Sequence, residues 1–161
     1  MGKENLPILP EKDLKRLMLV FPEGMMPALS VHADTQGATV TSLLRAYLKL
    51  RRFIETQQVA CLNAFEDPII RVGDEIVDFT NLMDRYGSLD ISAGRMPFNL
   101  PINEYSQVTD AAMRSDETVS SYIRKAAAIG IQIEDTAWEH SNTWTQGCPL
   151  SVGPHDFTFI Y

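Results

Sequence analysis

The chain has 161 residues, of which 45% are hydrophobic and 22% charged, the balance of an ordinary globular protein of one domain that folds without a metal or disulfide staple. Two cysteines, Cys61 and Cys148, are too few for the framework of a small secreted fold, although one disulfide between them stays open. Net charge is −7, and it is unevenly placed: residues 1–60 sum to +2 and residues 61–161 to −9, so a polyanion would have to meet the N-terminal third.

Pro7 and Pro10 interrupt the first apolar residues, so no signal-peptide core forms, and the longest apolar run, Leu17 to Phe21, is far below the roughly 20 residues that span a bilayer. A cytoplasmic protein without a membrane anchor is expected. Residues 1–9 read as a proline-punctuated arm. Leu14, Leu17, Met18 and Phe21 recur at helical spacing, which predicts a helix that starts at Pro10 and is stopped by Pro22 and Gly24. Residues 22–38, with two prolines and two glycines, read as a connecting loop in which His32 stands alone and exposed.

The strongest predicted element is a helix from Val40 to Phe65, single or broken near Gln57 and Gln58, with Thr39 or Thr41 as its cap. The β-branched residues around Gly73 and Asp74 favour a hairpin over residues 69–79; the same residues also fit a helix carrying one glycine. A short helix over Thr80–Tyr86 is expected next. Residues 88–101 read as a long loop whose Met96, Phe98 and Leu100 either dock on the core or await a partner. Helices over Asn103–Arg114 and Asp116–Glu134 follow, the second capped by Asp116, with Ala126, Ala127 and Gly130 small enough to admit a neighbouring helix closely. The segment 136–161 is an aromatic tail ending in a strand from Phe157 through Phe159 to Tyr161, an element able to add to a neighbouring sheet. The expected fold is mainly α: a single-domain helical bundle over residues 1–161 with a minor hairpin and a C-terminal strand, and α+β as the alternative.

Two constellations carry chemistry. Cys148, His140, His155 and Asp156 supply the residue types of a cysteine nucleophile with its base and orienting acid, the basis of a cysteine-dependent hydrolase or transferase. Adjacent residues of an extended segment face opposite ways, so Asp156 is poorly placed to orient His155, which leaves His140 as the better base. Zinc on the same side chains is disfavoured, because seven and six intervening residues match no structural zinc spacing. Arg45, Lys49 and Arg52, flanked by Arg51, form a basic stripe on the long helix that suits phosphates, an acidic protein surface or water alone. The paired acids, Glu134/Asp135 among them, read as helix caps and solubilising charge. With neither a dinucleotide fingerprint nor a phosphate-binding loop, no cofactor is expected. The reading favoured is a non-enzymatic interaction or assembly protein, either an acidic accessory protein or a self-assembling subunit; nucleic acid at the basic third is the less favoured partner.

Overall fold

The computed structural model describes residues 13–60, 69–142, 145 and 148–161. In chain order the elements are β1 (Leu14–Val20), α1 (Met25–Gln36), α2 (Val40–Ala60), β2 (Ile70–Val72), β3 (Glu75–Ile76), β4 (Arg95–Pro101), α3 (Ile102–Arg114), α4 (Val119–Ser141), β5 (Leu150–Val152) and β6 (His155–Phe157). The fold is therefore mixed α+β, the alternative the sequence offered, and the mainly α expectation holds only in part. Helices α2 and α4 pack on each other, a two-stranded β1–β4 ribbon lies on one part of the helical layer, and a four-stranded antiparallel sheet in the order β3-β2-β5-β6 covers another.

The first helix expected from sequence is a strand. Leu17, Leu19 and Phe21 alternate while Leu14, Leu17, Met18 and Phe21 repeat helically, and pairing with β4 settles the ambiguity that a short apolar run leaves open. Its partner corrects the long loop at 88–101, since residues 95–101 are β4 and send Phe98 and Leu100 into the core. The loop expected at 22–38 is mostly α1. Pro27 falls in its first turn, where a missing N–H breaks no helical bond, and Gly24 and Gly37 bound it with positive φ.

Helix α2 starts where expected. Thr39 Oγ1 accepts from the Ser42 N–H and Ser42 Oγ accepts from the Thr39 N–H, each at 3.1 Å, a reciprocal N-terminal cap. Its expected continuation to Phe65 passes outside the described residues, as do the arm at 1–9 and Cys61 with any disulfide it makes. The hairpin over 70–76 is present, turning at Gly73 with φ +60°. Residues 80–86 form turns instead of a short helix, with the Asp78 carboxylate accepting from the Thr80 N–H at 2.9 Å. Helix α4 is capped by Thr118, whose hydroxyl accepts from Ser121 N–H, while Asp116 takes a left-handed turn conformation. It runs to Ser141 and so absorbs the start of the expected tail. The C-terminal strand is β6, which ends at Phe157, and residues 158–161 continue without ladder pairing.

Two clusters of buried side chains share α2 and α4. One joins Leu19, Phe21, Phe98 and Leu100 of the ribbon to Leu44, Tyr47, Ile123 and Ala127. The other joins Ile70, Val72, Leu150 and Val152 of the sheet to Leu50, Ile133 and Ala137. Where the two helices meet, the Tyr47 ring lies on the backbone of Gly130, and a methyl group built there would stand 2.3 Å from the ring. We expect Gly130→Ala to destabilise the protein by about 1–3 kcal/mol through this overlap, despite alanine's better helix propensity; urea denaturation monitored by circular dichroism measures it.

Candidate functional site

The cysteine and histidines singled out in the sequence are directed to different neighbours. Cys148 is 6% exposed, and its sulfur lies against the turn at Gly73, whose N–H donates to the Pro149 carbonyl at 2.7 Å. His140 sits at the exposed end of α4, 3.3 Å from the Glu75 carboxylate. His155 presents its ring edge-on to Phe53, and Asp156 stands opposite Ser151 in the β5–β6 ladder. Among the described residues, no three His, Cys, Asp or Glu side chains gather as a metal site.

The basic stripe on α2 is largely engaged within the fold. Arg45 pairs with Glu104 at 2.9 Å, and Arg52 hydrogen-bonds Gln107. Arg51 is buried: it pairs with Glu117, donates to the Tyr122 carbonyl at 2.8 Å and lies 3.8 Å over the centre of the Tyr122 ring. Lys49 is exposed.

Charge is more exposed on the β1–β4 ribbon. Its fourteen residues carry Lys15, Arg16 and Arg95 and no acid. Residues of an antiparallel pair point N–H and C=O alternately to the partner and away from it. Phe21 N–H donates to the Gly94 carbonyl at 2.7 Å, and the pairing register continues from there, so Lys15, Leu17 and Leu19 ladder with β4. Arg16, Met18 and Val20 then turn their backbones to the outer edge, where the Val20 carbonyl accepts from Arg124 at 3.3 Å. Pro97, opposite Met18, lacks a donor and so fits the outward position on β4. Arg16, Met18, Arg95, Pro97 and Asn99 are exposed on the ribbon's outer face, with Met18 46% exposed. Among the described residues neither Arg16 nor Arg95 makes an ion pair.

The acids Glu134 and Asp135, read from sequence as a helix end, lie well inside α4 because that helix continues for two more turns. Asp135 faces α1 and receives His32 Nε2 at 3.1 Å and Arg85 at 2.8 Å. His32, expected in an exposed loop, is on α1 and 3% exposed. Burial works to raise the Asp135 carboxyl, but the hydrogen bonds and charges of His32 and Arg85 outweigh it and hold the carboxyl below its usual range.

Glu134 has no exposed surface. It accepts from the Thr145 N–H at 3.1 Å, from the Thr145 hydroxyl at 2.6 Å and from the Tyr161 hydroxyl at 3.0 Å. Among the described residues no cation pairs with it. Nearby, the Tyr47 hydroxyl is buried without a hydrogen-bond partner among the described residues, and its pKa is raised first by burial and then by the Glu134 charge. Above this carboxylate, a cavity of about 370 Å³ is walled by Thr145, Cys148, Leu150, Phe157, Phe159 and Tyr161. Phe157, Phe159 and Tyr161 form a run of ring contacts, 5.6 Å between successive centres, and Tyr47 meets Phe159 edge-on at 5.5 Å. The three tail aromatics are thus half-buried against the chain's own core.

Sequence reasoning missed Glu134, though a signal was present. Ile123, Ala127, Gly130 and Ile131 define the buried stripe of α4, and Glu134 follows Gly130 by four residues and Ala127 by seven, which places it on that stripe. Comparison of the chain with protein-family models, curated proteins and solved structures returns no match.

Four of the five tyrosines, Tyr47, Tyr86, Tyr122 and Tyr161, have raised pKa values, each chiefly from burial. A hydroxyl whose folded pKa exceeds its unfolded value contributes stability that is intact below the unfolded value of about 10 and falls as pH rises toward the folded one. Tyrosinate absorbance at alkaline pH should therefore appear in step with loss of ellipticity. Five tyrosines titrating near their ordinary value in an intact fold would contradict these burials.

Proposed function

We propose that this chain is a non-enzymatic assembly protein whose β1–β4 ribbon seats an acidic surface of another protein, and that the occupant is a second copy of the chain. The observation that carries this reading is the outer face of the ribbon: Arg16 and Arg95 without ion pairs among the described residues, an exposed Met18 opposite an exposed Pro97, and no acid on the ribbon. Beside it, the outer edge of β1 keeps the N–H and C=O groups of Arg16 and Met18 outside the β1–β4 ladder. Strand addition satisfies such an edge, and alternating side chains on the face supply selectivity.

Charge complementarity favours the second copy. The ribbon is basic in a chain whose residues 61–161 sum to −9, with Asp74, Asp78, Asp84 and Glu139 exposed. A basic ribbon meeting the acidic part of a neighbour gains attraction at the contact and disperses the self-repulsion of a monomer with net charge −7. Exposed pairs of this kind weaken as salt shortens the screening length.

Light scattering from about 50 mM to about 1 M sodium chloride tests the reading. The native mass should exceed the 18.1 kDa of one chain at low salt and fall toward it at high salt. Arg16→Glu combined with Arg95→Glu should give single chains throughout. An 18.1 kDa species at every salt concentration, or association that requires added nucleic acid, would overturn the proposal.

A further inference from the structure

Adjacent carboxylates on α4 are treated differently by the fold. Asp135 is balanced by His32 and Arg85, whereas Glu134, with no exposed surface, is held among the described residues by the neutral donors of Thr145 and Tyr161. A buried carboxylate without a counterion is costly in any folded protein unless hydrogen bonds or a bound cation offset the lost hydration. Its neutral donors are also walls of the cavity above it.

We infer that this cavity is a binding site for a small amphipathic amine, an ammonium head carried on an apolar body. Thr145 and Tyr161 both direct their hydroxyl hydrogens to Glu134 and also bond to each other, so what their two oxygens have left to offer a ligand in the cavity they line is lone pairs. The carboxylate behind them polarises both, and the wall they form accepts hydrogen bonds. Such a wall takes an ammonium and rejects a carboxylate or a phosphate, which would bring acceptors against acceptors. Phe157, Phe159 and Tyr161 supply ring faces that attract a cation and cover the apolar body. A volume of about 370 Å³ lies within the range of small-ligand pockets. The Tyr47 hydroxyl, buried without a hydrogen-bond partner among the described residues, adds a further polar group under the same carboxylate field.

The site lies under the C-terminal tail, so its test does not depend on the ribbon. Titration with 2-phenylethylammonium chloride at neutral pH, followed by 15N NMR, should move the Thr145 amide and the resonances of residues 148–161 saturably. The dissociation constant should be on the order of 1 mM or below, as fits a ligand of this size. The anionic analogue 3-phenylpropionate should bind at least about tenfold more weakly, from the reversed charge beside a desolvated carboxylate. Glu134→Gln should weaken the amine by a similar factor of about ten. Tyr161→Phe, which keeps the buried charge and removes one acceptor, should weaken it by about threefold or more. Asp156→Asn, an exposed carboxylate on β6, should leave binding unchanged. If Glu134→Gln fails to fold, the two-ligand comparison and Tyr161→Phe decide. Absence of a saturable shift at Thr145, equal binding of amine and propionate, or unaltered binding by Tyr161→Phe would each overturn the assignment.

Discussion

The contact between Tyr47 of α2 and Gly130 of α4 sets the distance between the two helices on which the rest of the structure is built. A ring pressed on bare backbone brings the helix axes close enough for small Ala126 and Ala127 to close the remaining space. From that seam the ribbon core extends through Leu44 and Ile123, and the sheet core through Leu50 and Ile133. The same seam fixes the polar chemistry: Glu134 lies one turn beyond Gly130, and Arg51 lies one turn beyond Tyr47, over the Tyr122 ring. Widening it would disturb both cores and both charged groups together.

Charge in this molecule sorts by whether the fold has already answered it. Arg45 and Arg51 carry carboxylate partners, Arg52 a glutamine, and Asp135 a histidine and an arginine. Arg16 and Arg95 on the ribbon and Glu134 under the tail are not answered by opposite charges among the described residues. We propose these as places where a partner from outside completes the electrostatics: an acidic protein surface on the ribbon and a small cation in the cavity. The two differ in kind. Ribbon charges are solvated and weaken with salt, whereas Glu134 is removed from water and acts at short range through Thr145 and Tyr161.

What the sequence showed reliably was periodic or capped. Helix α2 from Val40, the hairpin around Gly73, α3, and the small residues admitting a neighbour to α4 were all legible because local chemistry and tertiary packing agree there. Residues 14–36 were not: Leu14, Leu17, Met18 and Phe21 fit a helical period while Leu17, Leu19 and Phe21 fit a strand's, and only the partner strand β4 decides between them. Pro97 and Pro101 disguised that partner as a loop, because a proline is excluded from a strand only where its N–H would enter the ladder. The site under the tail stayed hidden for a related reason. Ending α4 at Glu134 turned a buried carboxylate into a helix terminus, and nothing local reveals that Thr145 and Tyr161 return to it. The arginines of α2 formed a stripe by spacing alone, and the acids that engage them are Glu55 of α2 itself, Glu104 of α3 and Glu117 in the turn that precedes α4.

If the α2–α4 seam unites the two cores, they should lose structure together. Native-state hydrogen exchange reads this directly through the slowest amides of β1, at Leu17 and Leu19, and of the β2–β5 pair, at Arg71 and Ser151. Both sets should report one opening free energy, and Gly130→Ala should lower the two by the same amount. Two distinct opening energies, or a response to Gly130→Ala in only one set, would contradict a shared spine.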